Sequence, residues 1–310
     1  MLGAWPRFGE TNPRNTIMYD YLVERSVDVA DIKNNPFDIF KIKIIHLHWP
    51  EKAFSTQNKI VSWCKIFLFS VLIGFLRARG VKIYYTVHND YKKDISRKYV
   101  QRLYEIIFLQ NVDLFLIPSR KSLNSLPKKI IRNKKWKLLP LGLYPKLYDR
   151  KDVAQKKYHL IIGRLTRKKN IVATVNRICK IQTETLRVVG SPEDEGYAAE
   201  LRSLLELYSN LELDFRYVTD DEFQLEIASA KSVIIDYDDG NLNSGVATMA
   251  MTLNTPLFIS DREMRKDVSR LYGVECLDVR KFPSHQVPTQ SKVTIEVVAA
   301  RLMKVLESED

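Results

Sequence analysis

The chain has 310 residues, of which 45% are hydrophobic, and its 49 Lys and Arg against 37 Asp and Glu give a formal net charge of +12. This length allows two domains with ordinary globular cores, and the excess of cations favours an anionic partner: a nucleotide, a nucleic acid or an anionic membrane face. The cysteines Cys64, Cys179 and Cys276 lie far apart without a CxxC pair, which argues against a disulfide framework or a zinc site and fits a reducing cytoplasm.

Strand and helix patterns alternate through the N-terminal half. In chain order they predict a short strand ending at residues 3–5, a helix at 15–24, a strand at 43–49, a helix at 58–79, a strand at 81–87, a helix at 96–110, a strand at 113–117, a short helix at 119–125 and a closing segment at 137–142. Short apolar runs mark the strands, and apolar residues at helical spacing mark the helices.

One of these elements, the apolar helix at 58–79, admits a membrane interpretation. Its apolar run from Ile60 to Leu76 is interrupted by Lys65 and Gly74, and it is shorter than the ~20 clean apolar residues of a spanning helix. We therefore expect a buried or interfacial helix, and we favour core burial over direct contact with lipid. The cations that follow it would suit anionic headgroups: Arg77, Arg79, Lys82, Lys92 and Lys93.

The second half begins after residues 143–156, which are polar, charged and proline-bearing and predict a linker. Alternation then resumes with strands at 158–162, 185–189, 213–218, 232–236 and 256–259, helices at 170–178, 197–207, 221–230 and 245–253, and an amphipathic last helix at 293–306.

Strands that alternate with helices predict parallel sheets joined by right-handed crossovers. We therefore expect an α/β fold with two Rossmann-like domains, residues 1–150 and 151–310, and an interdomain cleft. An alternative in which the last helix packs back toward the first domain stays open.

A glycine and a cluster of cations lie at one strand-to-helix junction of the second half, GRLTRKKN at residues 163–170. Parallel α/β sheets place ligands at such junctions, and a helix N-terminus favours an anion. Gly163 permits close approach of the backbone, and Arg164 and Lys169 suit a diphosphate, with Lys168 as the alternative to Lys169. The competing interpretation is a solvated basic loop.

A second helix start in the same half also suits an anion. Asn243 or Ser244 can cap the helix at 245–253, and the backbone N–H groups of Ser244, Gly245 and Val246 would be available to the same phosphates. An ordinary capped helix gives the same pattern, but two anion-suited helix starts in one half strengthen each other.

Four segments of this half, in chain order, resemble the donor-binding half of a GT-B glycosyltransferase. The nearest match is the large nucleotide-sugar-dependent family numbered four, or its bacterial exopolysaccharide relatives. The segments are GRLTRKKN at 163–170, LRVVG at 186–190, FRYVTDDE at 215–222 and NSGVATMAMTLNTP at 243–256. The resemblance covers residues 158–260 and, in the N-terminal half, only the layout. It implies that Tyr217 and Val218 lie beside the nucleobase of a nucleotide-sugar donor.

The chain departs from that family at two positions. The family has a glutamate in its last donor-site helix and another eight residues earlier, whereas alignment on Thr255-Pro256 places Met249 and Asn241 here. The glutamate that contacts the donor ribose in the family is therefore missing, which leaves the retaining stereochemistry of the family open for this chain.

A D-x-D pattern occurs in Asp236-Tyr237-Asp238-Asp239. In other glycosyltransferases such a pattern holds a divalent cation through oxygen ligands. Here we expect loop acids near the sugar or the ribose, or simply solvated acids, and no metal site.

In the N-terminal half, the strand at 43–49 ends in His46-Leu47-His48-Trp49-Pro50-Glu51. Strand alternation places His46 and His48 on one face. Glu51 or His48 is a candidate general base for an acceptor hydroxyl, and Trp49 could stack on a sugar. Hydrogen-bonded strand-end histidines and a turn shaped by Trp49-Pro50 are the competing interpretations, and a His, His, Glu metal set is a weak pattern here.

The next strand is followed by His88-Asn89-Asp90. In the enzymes that the chain resembles, a histidine after this strand faces the donor sugar. Asp90 is a candidate for orienting His88 or for acting as the base. If transfer inverts the anomeric configuration, Glu51, His48, His88 or Asp90 is the base; if it retains the configuration, no such base is required and His88 binds the sugar.

The patterns and the resemblance together imply a glycosyltransferase that moves a hexosyl unit from a UDP- or GDP-sugar to a saccharide or lipid-linked saccharide in polysaccharide or glycolipid biosynthesis. The nucleotide sugar is a co-substrate, and no separate cofactor is expected. No signal-peptide pattern is visible at the N-terminus, so we expect a cytoplasmic protein, with peripheral contact with an anionic membrane left open.

The alternative is a non-catalytic glycosyltransferase-like subunit that binds nucleotide sugars or supports a partner. A nucleic acid is not an expected partner, because the cations are spread through both halves and no nucleic-acid-binding motif is visible.

Overall fold

The computed structural model of the chain describes residues 1–8, 14–54, 58–145, 147–181, 184–237, 244–279 and 293–308. Two compact units divide the chain: Met1–Gly142 with Ile295–Asp310 form unit 1, and Leu143–Thr294 form unit 2. Each unit combines a parallel sheet with helices, so the predicted α/β fold class is confirmed.

Unit 1 contains a six-stranded sheet in the order β2-β1-β3-β4-β5-β6, with parallel pairing throughout. Its strands are β1 (Leu2–Trp5), β2 (Val29–Asp31), β3 (Ile44–His48), β4 (Lys82–Thr86), β5 (Leu114–Ile117) and β6 (Lys135–Leu138). Because β2 and β3 flank β1 on opposite sides, the winding direction of the sheet reverses at β1. Parallel α/β sheets bind ligands outside the carboxyl ends of the strands at such a reversal.

The described helices of unit 1 are α1 (Arg14–Val23), α2 (Lys59–Ala78), α3 (Tyr91–Asp94), α4 (Lys98–Ile107), α5 (Arg120–Ser125), α6 (Lys128–Asn133) and α12 (Ile295–Glu307). Side-chain caps fix where α2, α3 and α5 begin. Asn58 Oδ1 accepts hydrogen bonds from two amides in the first turn of α2, and Ser119 Oγ accepts one from Ser122 N at the start of α5. α12 packs against α1, so the last helix belongs to unit 1 although it follows unit 2 in the chain.

Unit 2 contains a five-stranded sheet in the order β11-β10-β7-β8-β9, again with parallel pairing. Its strands are β7 (Tyr158–Ile162), β8 (Thr185–Val189), β9 (Leu211–Asp214), β10 (Ser232–Ile235) and β11 (Leu257–Ile259), and its described helices are α7 (Ile171–Ile178), α8 (Glu195–Ser203), α9 (Asp220–Ser229), α10 (Gly245–Thr252) and α11 (Arg262–Tyr272). A capping box between Thr219 and Glu222 starts α9.

The two units divide at Gly142 rather than between residues 150 and 151, and described side chains of the stretch predicted as a linker, residues 143–156, pack into unit 2. Leu143 is buried in the core of unit 2, against which Tyr144 and Tyr148 pack. Arg150 Nη2 donates to the carbonyl of Ala230, 2.7 Å away. The apolar side chains within this polar stretch have therefore joined the second core.

β9 ends four residues before the end of the strand predicted at 213–218. Arg216 Nε donates to Asp214 Oδ2 (3.0 Å), and Thr219 already caps α9. Residues 215–218 consequently form a turn between strand and helix.

Four short or strongly polar elements of the described chain had no predicted counterpart: β2, α3, α6 and α11. α3 has four residues, which is too few to show a period. β2 and α6 have three and six residues, which is too few to show a period. α11 has eleven residues but buries only Met264, Asp267 and Val268.

α2 is not buried in the core along its whole circumference, which corrects the expected core burial. One face packs inward through Ile66, Phe69, Ile73 and Leu76, whereas the opposite face exposes apolar side chains: Ile60, Val61, Trp63, Phe67, Leu68 and Val71. By length and composition this is the one described helix that could cross a membrane, and 22% of its apolar window is buried.

Candidate functional site

Two glycines meet at the carboxyl edge of the unit 2 sheet. Gly163 follows β7 with φ of +101°, and Gly190 follows the neighbouring β8 with φ of +143°. A Cβ added to Gly190 would lie 2.0 Å from the carbonyl oxygen of Gly163, so a side chain there would displace the backbone. We call this contact the glycine crossing; it gives the edge a surface of bare backbone that a ligand can approach closely.

Lys169 and Arg164 bring two positive charges to the glycine crossing. Lys169 Nζ lies 3.6 Å from the point where a Cβ of Gly163 would be, and 5.5 Å from the centre of the Tyr237 ring. Burial, and secondly the charge of Arg164, lowers the pKa of Lys169 to about 8. Neither cation is paired with a described carboxylate. Two like charges held together in this way suit an anion with two charges, such as a diphosphate.

The neighbouring cations have different surroundings. Arg167 Nη1 donates to Glu193 Oε1 (2.9 Å) and Asp194 Oδ2 (2.7 Å), so this guanidinium ties the loop to the start of α8. Lys168, the predicted alternative to Lys169, is exposed, and no described contact brings it to the glycine crossing. The structure thus groups Arg164 with Lys169.

The start of α10 lies beside the same crossing. Val246 Cγ2 is 3.9 Å from the point where a Cβ of Gly163 would be. Ser244 caps the helix, since its Oγ accepts a hydrogen bond from Ala247 N at 3.2 Å. The two features of the sequence that suit an anion, the cations after β7 and the start of α10, therefore lie together at the glycine crossing.

Two backbone amides at this helix start are available to a ligand. Those of Gly245 and Val246 are hydrogen-bonded to no described residue, and no described atom lies within 4 Å of the point where a Cβ of Gly245 would be. Amides at a helix N-terminus attract anions. Asn243, the other predicted cap, lies outside the described residues.

The turn predicted to lie beside a nucleobase follows β9, the strand next to β8. Tyr217 is 78% exposed, whereas Val218 packs partly against the unit 2 core. Ser191 Oγ donates to the carbonyl of Arg216 (3.1 Å), which joins this turn to the residues after Gly190. The exposed Tyr217 ring thus follows β9, the neighbour in the sheet of the strand β8 that leads into the glycine crossing.

Asp236, the first acid of the D-x-D pattern, is not one of the expected loop acids. Asp236 is buried, and its Oδ2 accepts hydrogen bonds from Thr174 Oγ1 (2.9 Å) and Arg177 Nη1 (3.2 Å). Asp236 therefore anchors α7 to the end of β10. Asp238 and Asp239 lie outside the described residues, and the described part of the chain contains no group of three or more possible metal ligands.

The position where the resembled family has its second glutamate lies in the unit 2 core. Met249 is 7% exposed and belongs to the main hydrophobic cluster of this unit. An ionised side chain at this point of α10 would lack water and a partner. Asn241, the other position of the pair, lies outside the described residues.

In unit 1, the carboxyl ends of β3 and β4 carry a buried hydrogen-bonded chain, which we call the histidine chain. It runs Thr86–His46–Tyr19–His48–His88. Thr86 Oγ1 lies 2.7 Å from His46 Nε2, and His46 Nδ1 lies 2.8 Å from Tyr19 Oη. Tyr19 Oη also lies 2.7 Å from His48 Nε2, and His48 Nδ1 lies 2.8 Å from His88 Nε2. The structure thus joins His48 to His88, two candidates that the sequence separates by forty positions.

Burial keeps the three rings of the histidine chain neutral. It lowers the pKa of His46 to about 3 and holds the pKa values of His48 and His88 well below the ordinary value of 6.5. The charge of Arg14 acts in the same direction on all three. Burial also raises the pKa of Tyr19 well above its ordinary value, so the phenol keeps its proton.

Trp49 packs against the His88 end of this chain. Its φ of +55° lies in the left-handed region, which a bulky residue rarely adopts. The indole stacks on the His88 ring with centroids 4.4 Å apart. Strained backbone of this kind concentrates at functional sites.

The structure does not bring Glu51 to the histidine chain. Glu51 is fully buried on the other face of the sheet, where Tyr85 Oη donates to its Oε2 at 3.3 Å. Burial raises the pKa of this carboxyl to about 7. A side chain without access cannot take a proton from a substrate hydroxyl, so Glu51 is withdrawn as a catalytic candidate.

Asp90 has a local structural role. Its Oδ1 accepts a hydrogen bond from Lys92 N (3.1 Å) and caps α3. The Nε2 atom of His88 is bonded to His48, so the orienting partner seen for this ring is a histidine rather than the predicted aspartate.

A cavity of about 600 Å³ adjoins the histidine chain at the reversal of the unit 1 sheet. Its walls are mainly apolar and are formed by Trp5, Pro6, Leu47, Trp49, Pro50, Leu68, Phe69 and Leu72. His48 and three lysines, Lys33, Lys52 and Lys65, complete the lining. No acidic residue is among the described lining. The cavity therefore combines apolar surface with positive charge.

Sequence reasoning missed Tyr19, the central group of the histidine chain. Its signal was weak, because a tyrosine at helical spacing is usually a core residue. Tyr19 lies 27 and 29 positions from its two partners, so only the packing of α1 on the sheet brings them together.

No family profile and no curated protein matches the chain. Solved structures do match. HepE of Anabaena in complex with UDP gives a TM-score of 0.56 at 11% sequence identity, over 98% of this chain and 90% of the HepE chain. AviGT4, a glycosyltransferase involved in avilamycin A biosynthesis, gives a TM-score of 0.55 at 11% sequence identity, over 99% of this chain and 97% of the AviGT4 chain. Sucrose-phosphate synthase from Thermosynechococcus elongatus gives a TM-score of 0.52 at 13% sequence identity, over 97% of this chain and 71% of the synthase chain.

At these identities the similarity establishes the fold. That fold is the GT-B architecture of glycosyltransferases, as the sequence predicted. Membership of family four stays a prediction.

Proposed function

We propose that the protein is a glycosyltransferase that takes a hexosyl unit from a UDP- or GDP-sugar. One observation carries the proposal: Arg164, Lys169 and the start of α10 converge on the glycine crossing at the carboxyl edge of a parallel sheet. Such an edge is where α/β folds bind nucleotides. HepE, a protein of the same fold, was crystallised with UDP and with UDP-glucose, which favours UDP as the nucleotide.

In this proposal the cations act on the leaving group. Breaking the glycosidic bond leaves additional negative charge on the nucleotide diphosphate, which Arg164, Lys169 and the amides of Gly245 and Val246 would stabilise. Tyr217 would stack on or flank the base. The nucleotide sugar is then a co-substrate, and the reaction requires no separate cofactor.

The acceptor we propose is a saccharide, or a saccharide carried on a lipid through phosphate, as in polysaccharide or glycolipid assembly. The cavity at the reversal of the unit 1 sheet supports a lipid-linked acceptor, because its apolar walls suit a hydrocarbon chain and Lys33, Lys52 and Lys65 suit phosphate. Leu68 lines this cavity and is also part of the exposed apolar face of α2.

That exposed face leads us to propose a cytoplasmic protein that contacts an anionic membrane peripherally. Apolar side chains flanked by lysines bind at the boundary between headgroups and acyl chains. Replacing Lys92 and Lys93 by glutamate should weaken sedimentation with vesicles that contain anionic lipid and leave neutral vesicles unaffected. Equal binding of the variant to anionic vesicles would contradict the membrane contact.

The donor site is tested by calorimetry with UDP and GDP. Arg164→Ala combined with Lys169→Ala should lower the affinity for the bound nucleotide by about a hundredfold or more, since two charge-assisted contacts are lost. Lys180→Ala, which removes an exposed lysine just after α7, is the matched control and should leave the affinity unchanged. Unchanged affinity in the double variant would overturn the proposed donor site.

A second candidate is a glycosyltransferase-like subunit that binds nucleotide sugars without transferring them. Met249 favours it, because a core methionine stands where the resembled family has a glutamate. The two candidates differ in turnover: incubation with UDP-glucose and an acceptor mixture releases UDP from a transferase, whereas a binding subunit retains the intact sugar nucleotide.

A further inference from the structure

A second cavity lies at the amino edge of the unit 2 sheet, at the opposite end of the strands from the glycine crossing. Lys156 precedes β7, Lys231 precedes β10 and Asn254 precedes β11, so all three lie where parallel strands begin. This amino-edge cavity has a volume of about 550 Å³, and its described lining consists of four cations, one carboxylate and two side-chain amides. Because β7 is five residues long, about 15 Å separates this edge from the proposed donor site.

Two of the four cations are matched by carboxylates. Lys231 Nζ donates to Oε1 and Oε2 of Glu184, each 2.7 Å away. Lys151 Nζ lies 3.8 Å from Oδ2 of Asp149, which is the one acid among the described lining. The charges of these two lysines are therefore largely offset at short range.

The other two cations, Arg150 and Lys156, have no carboxylate partner among the described residues. Arg150 is half-buried, and its Nη2 donates to the carbonyl oxygen of Ala230, 2.7 Å away. Burial lowers the pKa of Arg150, and no described carboxylate opposes that effect. Lys156 is exposed, with its Nζ 5.8 Å from the centre of the Tyr158 ring. Two unmatched positive charges suit a dianion, and a phosphate group has a charge of about −1.5 to −2 near neutral pH.

The segment that contains these two cations is fixed to the rest of unit 2. Gln155 Nε2, also in the lining, donates to the carbonyl oxygens of Arg150 and Ala228, at 2.9 and 3.1 Å. The backbone amide of Lys156 donates to the carbonyl oxygen of Ser229 at 2.9 Å. Because the backbone is already held in place, a ligand loses less affinity to the ordering of this segment.

Two residues of the lining have a buried polar atom without a hydrogen-bond partner in the described part of the chain: Arg150 at Nε and Asn254 at Oδ1. Nearly all buried polar atoms in proteins are hydrogen-bonded, so each exception indicates unmet capacity to bind an ion, a water molecule or a ligand. One of these atoms is a donor and the other is an acceptor. A matching ligand therefore combines an anionic oxygen with an O–H group.

We propose that the amino-edge cavity binds a phosphate group, either as inorganic phosphate or as the phosphate of a small hydroxylated ester such as a sugar phosphate. Arg150 and Lys156 bind the anionic oxygens, and Asn254 accepts a hydrogen bond from a hydroxyl of the ligand. The cavity shares no lining residue with the proposed donor site, so the proposal does not depend on the proposed function.

The unmatched acceptor makes the proposal selective. Hydrogenphosphate has an O–H group, whereas sulfate has the same charge and no proton near neutral pH. Asn254 can therefore accept a hydrogen bond from hydrogenphosphate but not from sulfate, and the cavity should favour phosphate over sulfate.

Calorimetry with inorganic phosphate, glucose 1-phosphate and sulfate tests the site. The full-length Arg164→Ala, Lys169→Ala variant is titrated, because it lacks the two cations of the glycine crossing. We expect inorganic phosphate or glucose 1-phosphate to bind with a Kd of about 1 mM or lower, and sulfate to bind at least about fivefold more weakly. The ligand that binds more tightly identifies the source of the phosphate group. Absence of binding by both at about 10 mM would overturn the proposal.

Two lysine variants separate the site from general attraction of anions to a basic surface. Lys156→Gln and Lys157→Gln make the same change of charge at adjacent exposed positions, and Lys156 is the one of the two in the described lining. Lys156→Gln should weaken phosphate binding by about fivefold, and Lys157→Gln should leave it unchanged. Arg150→Met should weaken it by about tenfold or more, since charge-assisted hydrogen bonds are lost. Equal weakening by the two lysine variants would overturn the proposal.

A last variant tests the acceptor and leaves the charges unchanged. Asn254 has φ of +56°, a left-handed conformation that glycine adopts readily, so Asn254→Gly should keep a urea midpoint close to that of wild type. Its phosphate affinity should fall to that for sulfate. A preference for phosphate that survives in Asn254→Gly would overturn the role of Asn254. In the otherwise wild-type chain, Lys156→Gln should leave UDP affinity unchanged, and a parallel loss would show that the two sites are not separate.

Discussion

The carboxyl edges of the two sheets present polar groups of opposite kinds. At the edge of unit 2, Arg164 and Lys169 have no described carboxylate partner, and the first two amides of α10, those of Gly245 and Val246, are bonded to no described residue. At the edge of unit 1, Tyr19 and His48 are each bonded on both sides by other side chains. One edge has unmatched charges, and the histidine chain at the other edge is a set of neutral groups bonded to one another.

The difference shows what each edge can recognise. Unmatched cations attract an anion over a distance and tolerate variation in its position. A chain of neutral groups that are bonded to one another has no charge that would attract an anion. The nucleotide diphosphate of the proposed function therefore fits the first kind of edge.

The largest effect is expected from a substitution that disrupts the unit 2 edge and leaves the unit 1 edge unchanged. Gly190→Ala places a methyl group 2.0 Å from the Gly163 carbonyl oxygen at a φ that alanine disfavours. We expect the free energy of unfolding to fall by about 3 kcal/mol or more, and UDP binding to be lost. Urea denaturation measures the first and calorimetry the second.

Gly74→Ala is the control for that substitution. Gly74 lies inside α2, and nothing approaches within 4 Å of its added Cβ. The control should raise the free energy of unfolding by about 0.5–1 kcal/mol. Similar urea midpoints for Gly190→Ala and wild type would contradict the tight contact at the glycine crossing.

The next effect concerns the far face of the unit 1 sheet. Glu51 has a pKa of about 7 when folded, against an ordinary 4.5. The folded chain therefore binds more protons between these values, and its stability should fall as the pH rises through this window, by on the order of 2–3 kcal/mol. Glu51→Gln removes the titration, so urea unfolding at about pH 5 and about pH 8 should show a smaller pH dependence. Equal pH dependence in both proteins would exclude a raised pKa.

A smaller effect is expected in the pH dependence of nucleotide binding at the unit 2 edge. The pKa of Lys169 is about 8, so the affinity for UDP should fall by about tenfold as the pH rises through this value. The stability of the unliganded protein should move in the opposite direction, because the folded lysine loses its proton before the unfolded one does. Lys169→Arg should give a flat affinity profile in calorimetry. A flat profile for wild type would show that Lys169 does not contact the nucleotide.

The smallest effect on stability is expected on the exposed face of α2. Trp63 and Phe67 are 52% and 67% exposed, so replacing both by serine should change the free energy of unfolding by no more than about 0.5 kcal/mol. The same variant should bind anionic vesicles more weakly in a sedimentation assay. Phe37→Ser, at a site that is 76% exposed outside α2, is the control. Equal loss of vesicle binding in the two variants would argue against a specific face.

Much of unit 2 could be predicted because its site is local in sequence. Gly163, Arg164 and Lys169 occupy one junction between β7 and α7, so a short motif contains both the turn and the charges. The departure at β9 also had a local cause, the ion pairs and the cap within residues 214–222. The boundary between the two units was harder to predict, because Leu143 and Tyr148 join a core formed by residues far from them in the chain.

The sequence by itself determined the alternation of strands and helices, the α/β class and the cations at the first junction of unit 2, because these depend on periodicity and on neighbouring residues. Only the tertiary structure decided which polar groups are paired. It buried Glu51 and Met249, exposed one face of α2, and joined Tyr19 to two histidines of β3. Pairing and burial depend on contacts between residues far apart in the chain, which composition and spacing do not encode.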